Sequence, residues 1–366
     1  MVGKHHGKFG ENTMSVSKNF WKNKKVFVTG HTGFKGSWLS ICLSDAGAIV
    51  KGYSLKPQNN ENLFDIANIS SLVETEINDV RDYAALKHSL QAFQPDVVIH
   101  LAAQPLVLES YANPLETYAI NVMGTVNVLE ASRHVGSVRA ILNVTTDKCY
   151  ENNEWLWGYR ETDRLGGSDP YSNSKSCSEM VTSAYAKSFF DQQEVGIATA
   201  RAGNVIGGGD WSKDRLVPDI LNSFDKSEAV TIRNPNSIRP WQHVLEPLFG
   251  YMKLIESLHS KPIDFSGGWN FGPRDESVKD VKWILESMQK LLPEAKWGIE
   301  NSTHLHEAQL LKLDISKATS KLDWKPTWAL DKTLRSIVAW HKAWRSEQNM
   351  LLICRQEIEE FNGGEL

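Results

Sequence analysis

From Lys24 onward the chain alternates between two kinds of segment. Short runs rich in Val and Ile (KKVFVTG, AIVKGYS, VETEIND, DVVIHLAA, AILNVTT and VGIATAR) are separated by amphipathic stretches of helix length. That alternation predicts parallel strands joined by right-handed helical crossovers, an α/β doubly wound parallel sheet. Two helix starts are explicit. In NPLE, Asn113 is placed to cap, Pro114 takes the first helical position and Glu116 follows three residues after the cap. This helix is expected to run to about His134. In DPYSNSK, Asp169 caps and Pro170 opens a helix expected to reach about Phe190, with Tyr171 and Lys175 one turn apart on a shared face.

Past about Gly203 the pattern loosens, and glycines and short mixed elements continue to about Trp344. Four parts are expected: a flexible leader (1–23), a first domain (24–203), a smaller mixed α/β substrate-binding lobe (204–344) and a C-terminal helix or tail (345–366). The stretch HVLEPLFGYMKLIESLH followed by WNFGP reads as a helix and strand returning to the first domain at about 244–272. The tail is expected to be a surface helix that frays.

Composition narrows the function. The net charge of −4 and the absence of a basic segment give no electrostatic footprint for nucleic acid. No apolar run reaches membrane-spanning length, and the polar start MVGKHHGKFGENT lacks a signal-peptide core. Four cysteines without metal or disulfide spacing fit a reducing cytosol, so a cytoplasmic location is expected. Cys149, beside Lys148, is read as a packed thiol in preference to a nucleophile. His304 and His306 lack a third ligand, so no metal site is assigned.

The first strand runs into VTGHTGFKG, where Gly30, Gly33 and Gly36 keep a three-residue rhythm and a helix opens at about Phe34. A strand, a glycine turn and a helix start together suit a dinucleotide pyrophosphate, which the backbone N–H groups and helix dipole can hold. His31 and Lys35 either touch phosphate or face solvent. The end of the second strand, KGYSLKP, has no carboxylate for an adenosine ribose. Ser54 can bond a ribose hydroxyl, and Lys51 or Lys56 can accommodate a 2′-phosphate, so the residues alone leave NAD and NADP both open. Asp79 is placed either to accept from an adenine amino group or to cap the next helix.

Tyr171 and Lys175 form Tyr-x-x-x-Lys. An ammonium one turn away, with a positive nicotinamide nearby, should depress the phenol pKa and let it take a proton from an alcohol. The apolar run AILNV ends in TTDKCY, which delivers Asp147 and Lys148 side by side. They are either an acid and base for proton transfer or an ion pair that holds the strand end.

These features resemble the extended short-chain dehydrogenase/reductase family of nucleotide-sugar enzymes, with a Rossmann-type sheet. The likeness runs from about Lys24 to Trp340 and includes LAAQP, NVMGT, ARAGNVIG, RPWQHV and NFGP. Thr146-Asp147-Lys148 resembles the sugar 4,6-dehydratases, with Lys where the thymidine-linked branch carries Glu. Together TTDKCY, GHTGFKGSWL and RPWQHV are similar to the branch acting on CDP-glucose.

The resemblance implies NAD, held by Gly30, Thr32, Gly33, Phe34, Lys35, Gly36, Ser54, Asp79, Val80, Ala102, Ala103, Gln104, Thr145, Tyr171 and Lys175. It implies catalysis by Thr146, Asp147, Lys148, Tyr171 and Lys175, with Thr146 bonded to the sugar 4-hydroxyl. Substrate contacts are implied at Thr146, Asn204 and Arg239, and at Arg274. It also implies a homodimer built from a four-helix bundle, with no nucleic-acid or membrane partner. A nucleotide-sugar 4-epimerase is the rival enzyme, with a 4,6-dehydratase acting on another nucleotide-linked hexose as the other alternative. A non-catalytic redox-sensing protein would be expected to lose the Tyr and Lys that this chain keeps.

Overall fold

The computed structural model describes residues 16–232, 234–299 and 311–363. His5, His6, His304 and His306 lie outside the described residues. The six apolar runs are strands: β1 (Lys25–Thr29), β2 (Ile49–Ser54), β3 (Glu74–Ile77), β4 (Val97–His100), β5 (Ala140–Val144) and β6 (Gly196–Ala202). Three short strands follow, β7 (Asn204–Ile206), β8 (Ala229–Ile232) and β9 (Ile238–His243), then β10 (Gly267–Phe271), β11 (Val278–Asp280) and β12 (Lys296–Ile299). A seven-stranded sheet has the order β3-β2-β1-β4-β5-β6-β10, and every pairing in it is parallel. The winding reverses between β1 and β4, the place where open α/β sheets bind ligands.

Strand alternation divides the core into two layers. Val26, Val28, Val97, Ile99, Ala140 and Leu142 face one side, with the helices Phe34–Asp45 and Leu245–Ser260. Phe27, Val98, Ile141 and Ile197 face the other, beneath the helices Tyr83–Phe93 and Gly124–Ser132. Burial on both faces explains why the strands read as continuous apolar runs. A separate cluster, including Ile220, Trp241, Ile284 and Leu334, packs the smaller lobe beside a three-stranded sheet, β11-β9-β7, and the β12–β8 pair.

Three expectations need correction. Asn113 does not cap its helix: its amide donates to Glu109 at 2.6 Å, while Glu116 pairs with Arg81 at 3.3 Å. The helix nonetheless continues through a π turn, Ala119–Met123, to Ser132. Within the presumed leader, residues 16–23 are docked. Trp21 is fully buried, and its indole N–H and the Ser17 N–H both donate to Glu256 Oε1. Removing this indole from water offsets part of the cost of ordering the segment, and the two bonds to Glu256 fix its place. Nor is the C-terminal helix a fraying appendage. Met350–Phe361 buries Met350, Cys354, Ile358 and Phe361 in the main core, and Arg355 grips Asp45 with a forked pair of bonds. Among the described residues, no helix is long and apolar enough to cross a membrane.

Candidate active site

β1 ends at the glycine turn. Gly30 has φ +76°, and a Cβ there would lie 2.7 Å from the Ala102 N. At Gly36 a Cβ would meet the Gly30 carbonyl oxygen at 2.1 Å. The turn therefore closes only without side chains at these two positions. The helix Phe34–Asp45 then starts at Gly33 with no side-chain cap, so its first N–H groups are available to an anion. This cradle fits a dinucleotide pyrophosphate.

His31 does neither thing expected of it. It is fully buried edge-on to Phe64, with burial lowering its pKa to about 4. Lys35 is half-buried; burial, with Arg215 and Lys175 nearby, lowers its pKa to about 8, against the fields of Asp147 and Asp210. At the β2 end, Ser54 and Thr32 share a hydroxyl–hydroxyl bond of 2.9 Å, and Thr32 also donates to the Leu55 carbonyl. Lys51 is spent on Glu74 and Glu76, at 2.8 and 3.0 Å, which removes it as a phosphate reader. Asp79 holds Arg81, which keeps the Asp79 carboxyl below its ordinary pKa, and the helix cap is Asp82. Val80 is a buried core residue.

After β4, the Ala102 N–H bonds to Thr29 Oγ1, and Ala102 backs onto Gly30. Ala103 follows, half-buried. Gln104 is set by Asn121: the Gln104 N–H donates to Asn121 Oδ1, and Asn121 Nδ2 returns a bond to the Gln104 carbonyl. The same Nδ2 donates to Ser174 Oγ at 2.9 Å, which joins this loop to the helix Pro170–Tyr185. Asn121 sits in the π turn, a distortion frequent at functional sites.

Asp169 caps that helix through the Ser172 N–H, at 2.9 Å. Tyr171 and Lys175 are buried, and Lys175 Nζ donates to the Val144 carbonyl at 3.2 Å, where β5 ends. The expected lowering of the Tyr171 pKa is not built by the chain's own groups. Burial raises it to about 12, although Thr146 and Arg215 pull the other way. Burial also brings Lys175 down to about 8, opposed by Glu179.

Thr146 starts a short turn, Asp147–Cys149, by accepting the Lys148 N–H. Its hydroxyl donates to Asp147 Oδ1 at 3.0 Å. Burial pushes the Asp147 carboxyl above its ordinary pKa; Lys148 nearby, then Thr146, Arg239 and Lys35, oppose the shift without cancelling it. Lys148 is half-buried beside it. Cys149 is fully buried and its thiol pKa is pushed well up, as suits a packed thiol.

Of the substrate candidates, Arg239 is half-buried on β9, near enough for its charge to act on Asp147, and Asn204 opens β7 alongside β9. Arg274 is exposed and donates through Nε to the Pro326 carbonyl, so the structure ties it to a loop and not to this cluster. Sequence reasoning missed Asn121, Glu179, Arg201 and Arg215. The signal was present for two of them: Asn121 lies between Thr117 and Thr125 on one polar stripe, and Glu179 repeats the four-residue step of Tyr171 and Lys175.

The sheet, the glycine cradle and the Tyr-x-x-x-Lys helix together define a short-chain dehydrogenase/reductase of the extended type. The chain belongs to the GDP-mannose 4,6 dehydratase family, whose pattern matches residues 27–337. It is 54% identical to the CDP-glucose 4,6-dehydratase of Salmonella typhimurium over 352 residues, 94% of this chain and 98% of the relative. The dTDP-glucose 4,6-dehydratase of the same organism is 25% identical over 87% of this chain and 93% of its own length. Among solved structures, Thermotoga maritima UDP-glucose 4-epimerase with UDP-glucose superposes with a TM-score of 0.78 at 20% identity, covering 88% of this chain and 99% of the other. Bacillus anthracis dTDP-glucose 4,6-dehydratase in complex with NAD gives 0.73 at 20% identity, covering 90% and 99%. These two likenesses establish the fold.

Proposed function

We propose that the chain converts CDP-glucose to its 4-keto-6-deoxy product and water, with NAD bound across the glycine turn. The observation that carries this reading is the buried Asp147, with its carboxyl pKa raised, next to Lys148 at the end of β5 and close to Tyr171. The 54% identity with the Salmonella enzyme over almost the full length supports the substrate.

NAD held there supplies a reversible acceptor for the C4 hydrogen, which is returned at C6. Tyr171 would take the proton of the 4-hydroxyl once the positive charge of bound NAD offsets the rise that burial alone gives its phenol, with the Thr146 hydroxyl bonded to that oxygen. A carbonyl at C4 acidifies the C5 proton, which Lys148 removes as the base. Asp147, whose protonated form burial favours, gives its proton to the C6 hydroxyl, which leaves as water. Arg239 and Asn204 hold the diphosphate, a role suited to the guanidinium fork.

The apolar residues left on two helices support a two-fold homodimer. Leu115 is 88% exposed, Met180 55% and Met123 52%, on the stretches 114–132 and 170–190. A monomer by light scattering at working concentration would refute it. We place the enzyme in the cytoplasm, in keeping with its four free cysteines.

The test is turnover on CDP-, dTDP-, UDP- and GDP-glucose, with deuterium at C4. Deuterium recovered at C6 of the same molecule, solvent deuterium at C5 and a keto-sugar chromophore in alkali from CDP-glucose are expected. Simple galacto/gluco interconversion without that chromophore would mean an epimerase. Lys148→Met should still reduce the cofactor transiently while water loss slows by about 10²-fold or more; dehydration near the parent rate would remove Lys148 from the mechanism.

A further inference from the structure

Behind the site lies a buried ion pair that the reaction does not use. Glu179 is on the helix Pro170–Tyr185, one turn beyond Lys175, and Arg201 is on β6. Their side chains are 2% and 5% exposed. Arg201 donates to Glu179 through Nε at 2.9 Å and through Nη2 at 2.7 Å. Two further bonds of the pair run to TTDKCY, and Arg201 Nη1 also donates to the Glu161 carbonyl at 3.2 Å. Thr145 Oγ1 donates to Glu179 Oε1, and Arg201 Nη1 donates to the Tyr150 hydroxyl at 2.7 Å. Thr199 Oγ1 also donates to Glu179, at 2.6 Å.

Thr145 and Tyr150 are the first and last residues of the six that carry Asp147 and Lys148. One ion pair therefore pins both ends of the segment. Between those ends, the Ser176 hydroxyl holds the Cys149 carbonyl at 2.7 Å, and Tyr150 also donates to Asn270. A buried ion pair adds little net stability over well-packed apolar residues, because desolvation offsets the attraction. Its bonds do fix directions, and a catalytic group displaced by about 1 Å can lose about 10²-fold in rate.

We propose that Glu179 and Arg201 are positioning residues that set the placement of Asp147 and Lys148. The proposal rests on the assignment of those two to the elimination. It extends to Lys175: the Glu179 carboxylate lies along the same helical stripe and favours the charged amine.

Cys149 makes the proposal testable apart from turnover. It is buried inside the segment, whereas Cys42 and Cys354 are buried elsewhere in the core. Glu179→Gln and Arg201→Met are made singly and together. The double variant removes both charges, so no buried charge is left without its partner. The holoenzyme is treated with a maleimide, and labelling is read peptide by peptide. The expected result is labelling of Cys149 in the variants and not in the parent, with Cys42 and Cys354 still protected and the partly exposed Cys177 open to label in all of them. Dehydration should fall about 10²-fold in kcat while KM changes less than threefold, and transient cofactor reduction should fall less.

Two results would overturn the proposal. One is Cys149 protected and kcat within threefold of the parent in all three variants. The other is Cys42 and Cys354 labelling together with Cys149, which marks a general support of the fold. Full activity of Asp147→Asn and Lys148→Met would instead sink their catalytic assignment, whereas Cys149 protection reports on the pair irrespective of it.

Discussion

The glycine turn and the TTDKCY turn each follow a central strand of the same sheet, yet they are built differently. The first is made of backbone: Gly30 and Gly36 let the chain fold onto itself, and an uncapped helix start does the rest. The second is held by side chains from elsewhere. Lys175 holds Val144, Glu179 holds Thr145, Ser176 holds Cys149 and Arg201 holds Tyr150. A backbone-made site is rigid wherever its few residues stand. A network-made site is only as good as its most distant partner, and in exchange its burial can tune acids and bases.

Three substitutions probe that contrast, starting with the largest effect. On the network side, Tyr171→Phe should leave folding and CDP-glucose binding intact and lower turnover on the order of 10³–10⁴-fold, because every later step needs the C4 ketone. Turnover within tenfold of the parent would show that another group takes that proton. On the backbone side, Gly36→Ala places a methyl 2.1 Å from the Gly30 carbonyl oxygen, where only backbone can yield. Affinity for NAD, measured calorimetrically on cofactor-stripped protein, should drop by about 10-fold to 10²-fold, equivalent to 1–3 kcal/mol of overpacking. Unchanged affinity would mean that the turn is more pliant than its geometry implies.

The smallest effect is on stability and depends on pH. Lys175 is lowered from 10.5 to about 8. Between those pH values the folded chain binds fewer protons than the unfolded one, so stability rises with pH across the interval. Below about 8 the buried charge costs its full amount, on the order of 3 kcal/mol. Lys175→Met removes that cost, less about 1 kcal/mol for the lost bond to Val144. It should therefore raise the Tm at pH 7, lose the gain by pH 10.5, and abolish turnover. A Tm at pH 7 below the parent's would show that the lysine supports the fold more than it strains it.

Reading the chain in order identified the strands because their burial on both faces leaves uninterrupted apolar runs, and it identified the glycine turn because local sterics demand it. It missed at the ends. Trp21 and the helix Met350–Phe361 looked peripheral because their partners, Glu256 and Asp45 among them, are hundreds of residues away. His31 was misread for the same reason: nothing near it in sequence announces the edge-to-face contact with Phe64.

The sequence by itself determined the order of strands and helices, the cradle at Gly30 and Gly36, and the Tyr171–Lys175 stripe, because each depends on periodicity or sterics within a few residues. It also placed Asp147 and Lys148 side by side. Which of the charged residues are silent and which are tuned was decided only by the fold. Lys51 is neutralised by two glutamates from β3, and Arg274 is drawn to the Pro326 carbonyl. Asp147 is stripped of water by elements from three parts of the chain, with Thr146, Arg239 and Lys35 around it. Charge state follows from desolvation and from neighbours in space, and neither exists until distant segments have packed together.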